Sequence, residues 1–67
     1  MVIKDSARKH DLSDADIQHA LAHAVRIWPM DGFEMIIGPK ADGSLIEVGV
    51  NSDGDVFHTM QARTKFL

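Results

Sequence analysis

The fold is decided by the stretch FEMIIGPKADGSLIEVGVNSDGDVFHTMQ, residues 33–61. Apolar residues alternate with other residues in three runs of this stretch, at 33–37, 45–50 and 56–61, and a period of two is typical of β-strands. The segments between the runs contain the pairs Asp42-Gly43 and Asp53-Gly54, which accept the positive φ of a hairpin turn. The stretch therefore predicts an antiparallel meander of three strands.

The register of the first hairpin follows if Pro39 pairs with Ser44 across the turn. Ile37 would then lie opposite Ile46. The same register would pair two more sets of apolar residues, Met35 with Val48 and Phe33 with Val50. One face of the sheet would therefore be apolar along both strands.

Residues before the meander follow a helical period. Between Leu12 and Val25 the apolar residues recur at i, i+3, i+4, i+7 and i+8, which predicts an amphipathic helix. These residues are Ile17, Ala20, Leu21, Ala24 and Val25. Ser13 is predicted to cap this helix, because an acidic residue follows three positions later and acidic side chains favour the first turn. Upstream, residues 5–10 predict one or two helical turns that end at Asp11.

A further short edge strand is predicted at 26–28, ended by Pro29, which cannot donate to a ladder. One helix can cover only one sheet face, so we predict a single α+β domain, residues 1–67. In it, one main amphipathic helix and a short preceding helical turn pack on one face of a meander of three to four antiparallel strands. Ile36, Leu45 and Phe57 would lie uncovered on the other face, which predicts a binding surface for a partner or for a second copy of the chain.

The chain has no cysteine, which excludes a disulfide scaffold, a cysteine nucleophile and a zinc knuckle, and which fits a reducing cytoplasm. No stretch approaches the roughly 18 apolar residues of a membrane span, so we expect a cytoplasmic protein that does not bind membranes. Asp16, His19 and His23 share one face of the predicted helix, and the two histidines, spaced i, i+4, could chelate a divalent ion. A third protein ligand of known spacing is missing. No metal and no cofactor are therefore expected.

Seven Lys and Arg against ten Asp and Glu give a net charge of −3, which opposes non-specific binding to nucleic acid. Any nucleic-acid site must therefore be local. The basic residues concentrate near the two ends of the chain: Lys4, Arg8, Lys9, His10, Arg63 and Lys65. If the two ends are neighbours in the fold, a positive site the size of a phosphate would be formed by Arg8, Lys9, His10, Arg63 and Lys65. The alternative is that the basic residues are simply solvated.

His58 lies in the middle of a predicted strand. A histidine in this position is most often half-buried and hydrogen-bonded to a neighbour. The alternative is a role in proton transfer, because an imidazole titrates near neutral pH and Arg63 is close in sequence.

Four segments occur in an order and spacing that resembles a known family. They are KHDLS at 9–13, MIIGP at 35–39, GSLIEV at 43–48 and FHTMQAR at 57–63. Together they resemble the BrnT-like toxins of bacterial type II toxin–antitoxin pairs, which are related in fold to the RelE ribonucleases. The resemblance covers residues 8–63, and the chain has Asp11 where the family pattern has Gly.

The resemblance implies a helix-on-sheet domain that cleaves RNA by attack of a 2′-hydroxyl on the adjacent phosphorus. It also implies that an antitoxin encoded beside the protein neutralises this activity. RNA or the ribosome would be its target. Carried over by position, Lys9 and His10 match the pair that opens the family's helix and Arg63 matches its closing arginine. The expected catalytic residues are therefore Arg63, His10 and Lys9.

The clustering of basic residues adds Arg8, Lys65 and His58 as RNA-binding candidates. The alternative function is a non-catalytic module that binds a protein through its uncovered sheet face. Convergence of Lys9, His10 and Arg63 in one cleft would favour the ribonuclease, and scattered basic residues beside an apolar patch would favour the module.

Overall fold

The strands of the protein form one four-stranded antiparallel sheet, in which neighbours in sequence are also neighbours in space. A computed structural model describes all the residues, Met1–Leu67. The strands are β1 (Arg26–Met30), β2 (Phe33–Pro39), β3 (Leu45–Asn51) and β4 (Val56–Gln61). One α-helix, α1 (Asp14–Ala22), and two 3₁₀ turns, Asp5–Arg8 and Thr64–Phe66, complete the chain. The predicted α+β fold is confirmed, including the short helical turn before the main helix.

Helix α1 begins where its capping residues predict and ends earlier than its apolar period suggests. The Ser13 hydroxyl accepts a hydrogen bond from the backbone N–H of Asp16 at 3.1 Å, so the predicted N-cap is confirmed. Ala22 is the last helical residue. The assignment of Val25 to the helix was wrong, because its N–H already donates to the carbonyl of Ile37 in the sheet. The side chain of Val25 is exposed.

The helix and the N-terminal 3₁₀ turn cover one face of the sheet, which we call the helix face. Its core is a cluster of six buried apolar residues, namely Ala7, Ile17, Ala20, Ile46, Val48 and Val56. Gly38 lets α1 approach β2 closely, since a Cβ at this position would lie 2.1 Å from the carbonyl oxygen of Ala20. On β4, the hydroxyl of Thr59 donates to the carbonyl of Ala7 at 2.6 Å, which fixes the 3₁₀ turn to the sheet.

The register predicted for β2 and β3 was wrong by one residue. Pro39 pairs with Leu45 rather than with Ser44, and Ile37 therefore lies opposite Glu47. The physical reason is the turn: the N–H of Lys40 donates to the carbonyl of Ser44 at 2.8 Å, which extends the ladder by one pair and leaves a three-residue loop at 41–43. A slip of one residue moves every side chain of β2 to the opposite face.

The predicted uncovered surface of Ile36, Leu45 and Phe57 is consequently split between the two faces. Ile36 packs against the cluster on the helix face. Leu45 packs on the other face with Met35 and Ile37, and Phe57 also lies there, its ring edge-to-face with Phe33. The three residues therefore do not form one patch.

The second face is covered in part by the end of the chain, which the sequence interpretation did not foresee. Phe66, in the C-terminal 3₁₀ turn, is buried against Met35 and Ile37. The indole N–H of Trp28 donates to the carbonyl of Phe66 at 2.9 Å and holds this turn in place. We call this side of the sheet the C-terminal face.

Strand β1 is longer than predicted and exposed along its whole length. It continues through Pro29 to Met30, because β1 is an edge strand and the nitrogen of a proline is tolerated where it faces outward. Ile27 and Met30 are its exposed aliphatic residues, and neighbouring Val25 is also exposed. No helix of the chain is long and apolar enough to cross a bilayer.

Candidate functional site

A buried carboxylate lies at the centre of the C-terminal face. Glu47 occupies the middle of β3, between Ile37 on β2 and Met60 on β4, and its exposed fraction is 0%. Its position on this face follows from the register, since the directly opposed residues of an antiparallel pair share a face. A buried carboxylate needs hydrogen-bond partners, because the loss of hydration would otherwise destabilise the fold.

Glu47 receives all of its partners from the last part of the chain. The backbone N–H and Nε of Arg63 each donate to Oε1 at 3.0 Å, and Nη2 of Arg63 donates to Oε2 at 2.8 Å. Nε2 of His58 lies 2.8 Å from the same Oε2. We call these three residues, Glu47, His58 and Arg63, the Glu47 cluster.

The electrostatics of the Glu47 cluster favour an ionised carboxylate. Burial by itself would raise the pKa of Glu47, but the hydrogen bonds from Arg63 and His58 outweigh burial and lower this pKa to about 2. The hydrogen bond to Glu47 also raises the pKa of Arg63. At neutral pH the cluster therefore contains a buried anion and a permanent cation.

The contact with Glu47 decides which nitrogen of His58 is free. An ionised carboxylate only accepts hydrogen bonds, so Nε2 of His58 must carry a proton and donate it. Nδ1 makes no hydrogen bond within the chain, and the side chain is 28% exposed. One ring nitrogen is therefore fixed by a carboxylate and the other is available for proton exchange, as in histidines that act in general acid–base catalysis. The half-buried, hydrogen-bonded histidine considered from the sequence is confirmed.

Arg63 is fixed on one edge and free on the other. Nε and Nη2 face Glu47, whereas Nη1 makes no hydrogen bond within the chain, and the side chain is 44% exposed. The guanidinium carbon lies 5.5 Å from the ring centre of Phe66, so an aromatic ring also supports the group. Arg63 and His58 both bind the same oxygen of Glu47, and this contact places a cation beside a proton carrier.

The other predicted site residues do not join this cluster. Arg8 forms an ion pair with Asp14 at the start of α1, and Lys65 lies with its ammonium 5.1 Å from the ring centre of Phe66. Lys9 and His10 are exposed and share no hydrogen bond or ion pair with Arg63. Arg63 and Lys65 therefore share the Phe66 ring, whereas Arg8, Lys9 and His10 lie elsewhere. Lys9, His10 and Arg63 do not converge in one cleft, so the arrangement that would favour the ribonuclease on these three residues is absent.

A groove at one end of the sheet contains His10. It has a volume of about 500 Å³ and lies between the loop before α1, the β2–β3 turn and the ends of β3 and β4. Its lining consists of His10, Leu12, Lys40, Ser44, Leu45, Ile46, Met60 and Gln61. We call it the His10 groove. Arg63 is not among its lining residues, but Met60 lines the groove and pairs with Glu47 across the sheet, so the two sites are neighbours.

Sequence reasoning missed two residues that the structure places at these sites, Glu47 and Lys40. A signal for Glu47 was present, since it is a lone acidic residue between the apolar residues Ile46 and Val48 in a strand. A carboxylate in that context is buried only if it is paired. Lys40 carried no local signal, because its side chain joins the groove only through the shape of the turn.

The Glu47 cluster and the His10 groove are the two candidate functional sites of the chain. In each site, residues distant in the sequence meet through the sheet register and the C-terminal turn. Comparisons with models of protein families, with curated proteins and with solved structures find no match to this chain.

Proposed function

We propose that this protein is a small ribonuclease of the kind found in bacterial toxin–antitoxin pairs, and that His58 and Arg63 form its reactive site. One observation carries the proposal. A fully buried Glu47 orients a partly exposed histidine and a partly exposed arginine through one shared oxygen. The sequence resemblance to BrnT-like toxins implies the same activity and includes Arg63, but it points to Lys9 and His10 rather than to His58 as the other catalytic residues.

His58 would serve as the proton carrier. The 2′-hydroxyl of RNA must lose a proton to attack phosphorus, and the leaving 5′-oxygen must gain one. Nδ1 of His58 is available to take the proton of the 2′-hydroxyl as the bond from that oxygen to phosphorus forms, and Glu47 stabilises the resulting imidazolium. The P–O5′ bond breaks, a solvent water protonates the leaving 5′-oxygen, and the other product is a 2′,3′-cyclic phosphate. Such orientation by a carboxylate reduces the reorganisation that the reaction requires.

Arg63 would hold the scissile phosphate. Its free Nη1 and the outward side of Nη2 can donate to phosphate oxygens, and a guanidinium suits this planar recognition. The contacts with Glu47 and Phe66 keep the group in one place. The charge of Glu47 partly offsets that of Arg63, so we expect weak binding of RNA in the ground state and a larger contribution when negative charge develops on the phosphorane.

The experiment is a cleavage assay with purified protein and a short RNA. We expect His58→Gln to lower the cleavage rate by about 10²- to 10⁴-fold, the usual contribution of a general acid or base, and Arg63→Lys to lower it by a smaller factor. Arg26→Gln, an exposed residue of β1 outside the Glu47 cluster, is the control for loss of a positive charge, and circular dichroism checks folding. A substrate with a 2′-deoxy residue at the cleaved position must resist cleavage. Wild-type protein that leaves RNA intact, or His58→Gln protein as active as the parent, would refute the proposal.

A second candidate function is a non-catalytic module that binds a protein partner, and exposed β1 favours it. Val25, Ile27 and Met30 present aliphatic side chains to solvent along one sheet edge, and Trp28 is also partly exposed. Edge strands that expose apolar residues invite association. The ribonuclease would use the same surface to bind its antitoxin, so the two candidates differ in cleavage and not in partner binding.

The partner test compares two exposed aliphatic residues. Ile27 is 56% exposed on β1 and Val2 is 59% exposed near the N-terminus. We expect Ile27→Ser to weaken co-purification with the protein encoded by the adjacent reading frame, and Val2→Ser to leave it unchanged. Sedimentation of the isolated chain tests a second copy as the alternative occupant of β1. Equal effects of both substitutions would show that β1 is not the binding surface.

A further inference from the structure

We infer that the His10 groove binds a nucleotide, with the base on its apolar floor and the phosphate at His10 and Lys40. The inference deepens the proposed function, and it rests on that proposal for RNA as the natural source of the nucleotide. The groove is separate from the Glu47 cluster in its lining residues and adjacent to it in space.

The apolar part of the groove matches the flat face of a base. Leu12, Leu45 and Met60 are partly exposed and supply aliphatic or thioether surface from three different parts of the chain, whereas Ile46 is 1% exposed and adds almost none. Gln61 adds an amide that can hydrogen-bond to a base edge or to a ribose, and the Ser44 hydroxyl, whose proton is donated to Asp42, can still accept a hydrogen bond. Apolar surface with a few polar groups around it is typical of sites for small organic ligands.

The charged part of the groove matches a phosphate. The eight lining residues include His10 and Lys40 and no Asp or Glu, although the chain carries ten acidic residues and a net charge of −3. A local positive region on an acidic protein acts within a Debye length of roughly 8 Å, while more distant acids are screened. The lining itself therefore carries no negative charge, and Lys40 supplies its one permanent positive charge.

Three carboxylates lie just outside the lining. Asp11 separates the lining residues His10 and Leu12 in sequence. Asp16 accepts a hydrogen bond from the N–H of Ala41, next to Lys40, and Asp42 competes directly for Lys40. The carboxylate of Asp42 lies 3.8 Å from Nζ of Lys40, which is a long ion pair. Asp42 is already held by Ser44, whose hydroxyl and backbone N–H donate to it at 2.6 and 2.9 Å. Both of those bonds go to Oδ1, whereas Lys40 faces Oδ2, and the Asp42 side chain is 66% exposed. Water can therefore hydrate Oδ2 when the ammonium of Lys40 turns toward a phosphate.

The position of the groove gives a nucleotide bound there a role in RNA binding. Met60 lines the groove and is the cross-strand partner of Glu47, so one edge of the groove lies one strand spacing, roughly 5 Å, from the backbone of Glu47. The backbone of Ala62, next to Arg63, bonds to the carbonyl of Leu45, another lining residue. An RNA chain with one base in the groove would thus present a neighbouring phosphate toward Arg63.

The binding experiment uses NMR titration of the full chain with adenosine 5′-monophosphate, uridine 5′-monophosphate, adenosine and inorganic phosphate as separate probes. We expect a mononucleotide to bind at least about tenfold more tightly than either adenosine or phosphate, since only the nucleotide engages both parts of the groove. Lys40→Gln and His10→Gln should each weaken nucleotide binding about tenfold, the effect of losing one charge-assisted hydrogen bond. Arg26→Gln, an exposed basic residue of β1 outside the lining, is the matched control.

Two outcomes would overturn the inference. One is the absence of saturable nucleotide binding, and the other is binding that Lys40→Gln and His10→Gln leave unchanged. His10 and Lys40 are surface side chains, and circular dichroism of each variant verifies that a loss of binding is not a loss of fold.

A second measurement separates this inference from the proposed function. A 2′-deoxy oligonucleotide cannot undergo attack by a 2′-hydroxyl, so its binding reports the groove without cleavage. If it binds through Lys40 while RNA stays intact, the groove is supported and the ribonuclease is not. If RNA is cleaved and Lys40→Gln leaves KM unchanged, the ribonuclease is supported and the groove is refuted. We expect Lys40→Gln to raise KM about tenfold with little change in kcat.

Discussion

The two faces of the sheet are built from different chemistry. On the helix face, six buried apolar residues from four elements of the fold pack around Ile17 and Val48. On the C-terminal face, a smaller apolar group around Phe66 lies beside the ionised Glu47 and its partners. One face is closed by α1 and the N-terminal 3₁₀ turn, and the other by a single turn at the end of the chain.

This difference separates stability from chemistry. Burial of apolar area stabilises the fold without requiring exact partners, so the helix face can supply most of the stability. A buried carboxylate contributes only when each of its oxygens is paired, and it loses that contribution when a partner is removed. The C-terminal face therefore carries polar side chains that are held in fixed positions and are partly exposed. Binding and proton transfer require both properties.

The largest expected effect tests the helix face. Ile17 is fully buried at the centre of α1, and Ile17→Ala should lower the free energy of unfolding by about 2–5 kcal/mol through lost burial and the cavity left behind. A domain this small is expected to unfold or to become marginally stable. Chemical denaturation followed by circular dichroism measures the loss. Gln18→Ala, on the exposed side of the same helix, is the control and should change stability by less than about 0.5 kcal/mol.

The C-terminal face should respond to acid more than the helix face does. The pKa of Glu47 is lowered from 4.5 to about 2 in the folded protein, so its contribution, about 3 kcal/mol, is present above pH 4.5 and is lost as the pH falls toward 2. Trp28 is the single tryptophan and bonds to Phe66, and its fluorescence therefore reports release of the C-terminal turn.

Glu47→Gln is the control for this acid response. The amide keeps the shape of the side chain but does not titrate, so stability should fall less between pH 4.5 and 2 than it does in the parent protein. Identical pH profiles for the two proteins would mean that Glu47 is not paired as described.

The third expected effect compares one glycine on each face. A Cβ at Gly38 would lie 2.1 Å from a backbone oxygen of α1, whereas a Cβ at Gly49 would lie 3.0 Å from the far end of the Phe57 ring. Backbone cannot yield without moving the helix, while a ring can turn aside. We expect Gly38→Ala to cost about 1–3 kcal/mol and Gly49→Ala to cost less, as measured by thermal unfolding. A larger loss of stability for Gly49→Ala than for Gly38→Ala would show that the backbone is more tightly packed on the C-terminal face than on the helix face.

The sequence predicts the elements of this fold better than it predicts how they face each other. Strands, hairpin turns and the Ser13 cap depend on short-range patterns, and the structure confirms them. The register of β2 depends on whether the turn contains an even or an odd number of residues, which the Asp-Gly pair does not specify. Gly38 indicates which face of β2 packs against the helix, since a glycine inside a strand is typical of close approach of another backbone.

The candidate site was only partly predictable for a related reason. Arg63 and His58 were identified from residue type and resemblance, but their common partner Glu47 was not. β4 has an irregularity opposite Gly49 and Val50, where the register with β3 shifts. An alternating pattern predicts His58 on the same face as Val56, whereas the shifted register puts His58 beside Glu47 on the other face.

The smallest expected effect concerns the loop that joins the two helical elements of the helix face. Asp11 has a φ of 56°, a left-handed conformation that costs a residue with a Cβ roughly 1–2 kcal/mol, and its side chain makes no hydrogen bond that would offset the cost. Asp11→Gly removes this strain but adds freedom to the unfolded chain, which returns about 0.4–1 kcal/mol. The net result should be a stabilisation of up to about 1 kcal/mol and an increase of a few degrees in Tm.

Asp11→Ala keeps the Cβ and should give no increase, so it controls for loss of the charge. Because the strain lies on the helix face, Trp28 fluorescence of the folded protein should not change. A lower Tm for Asp11→Gly than for Asp11→Ala would show that the carboxylate, and not the backbone, determines this turn.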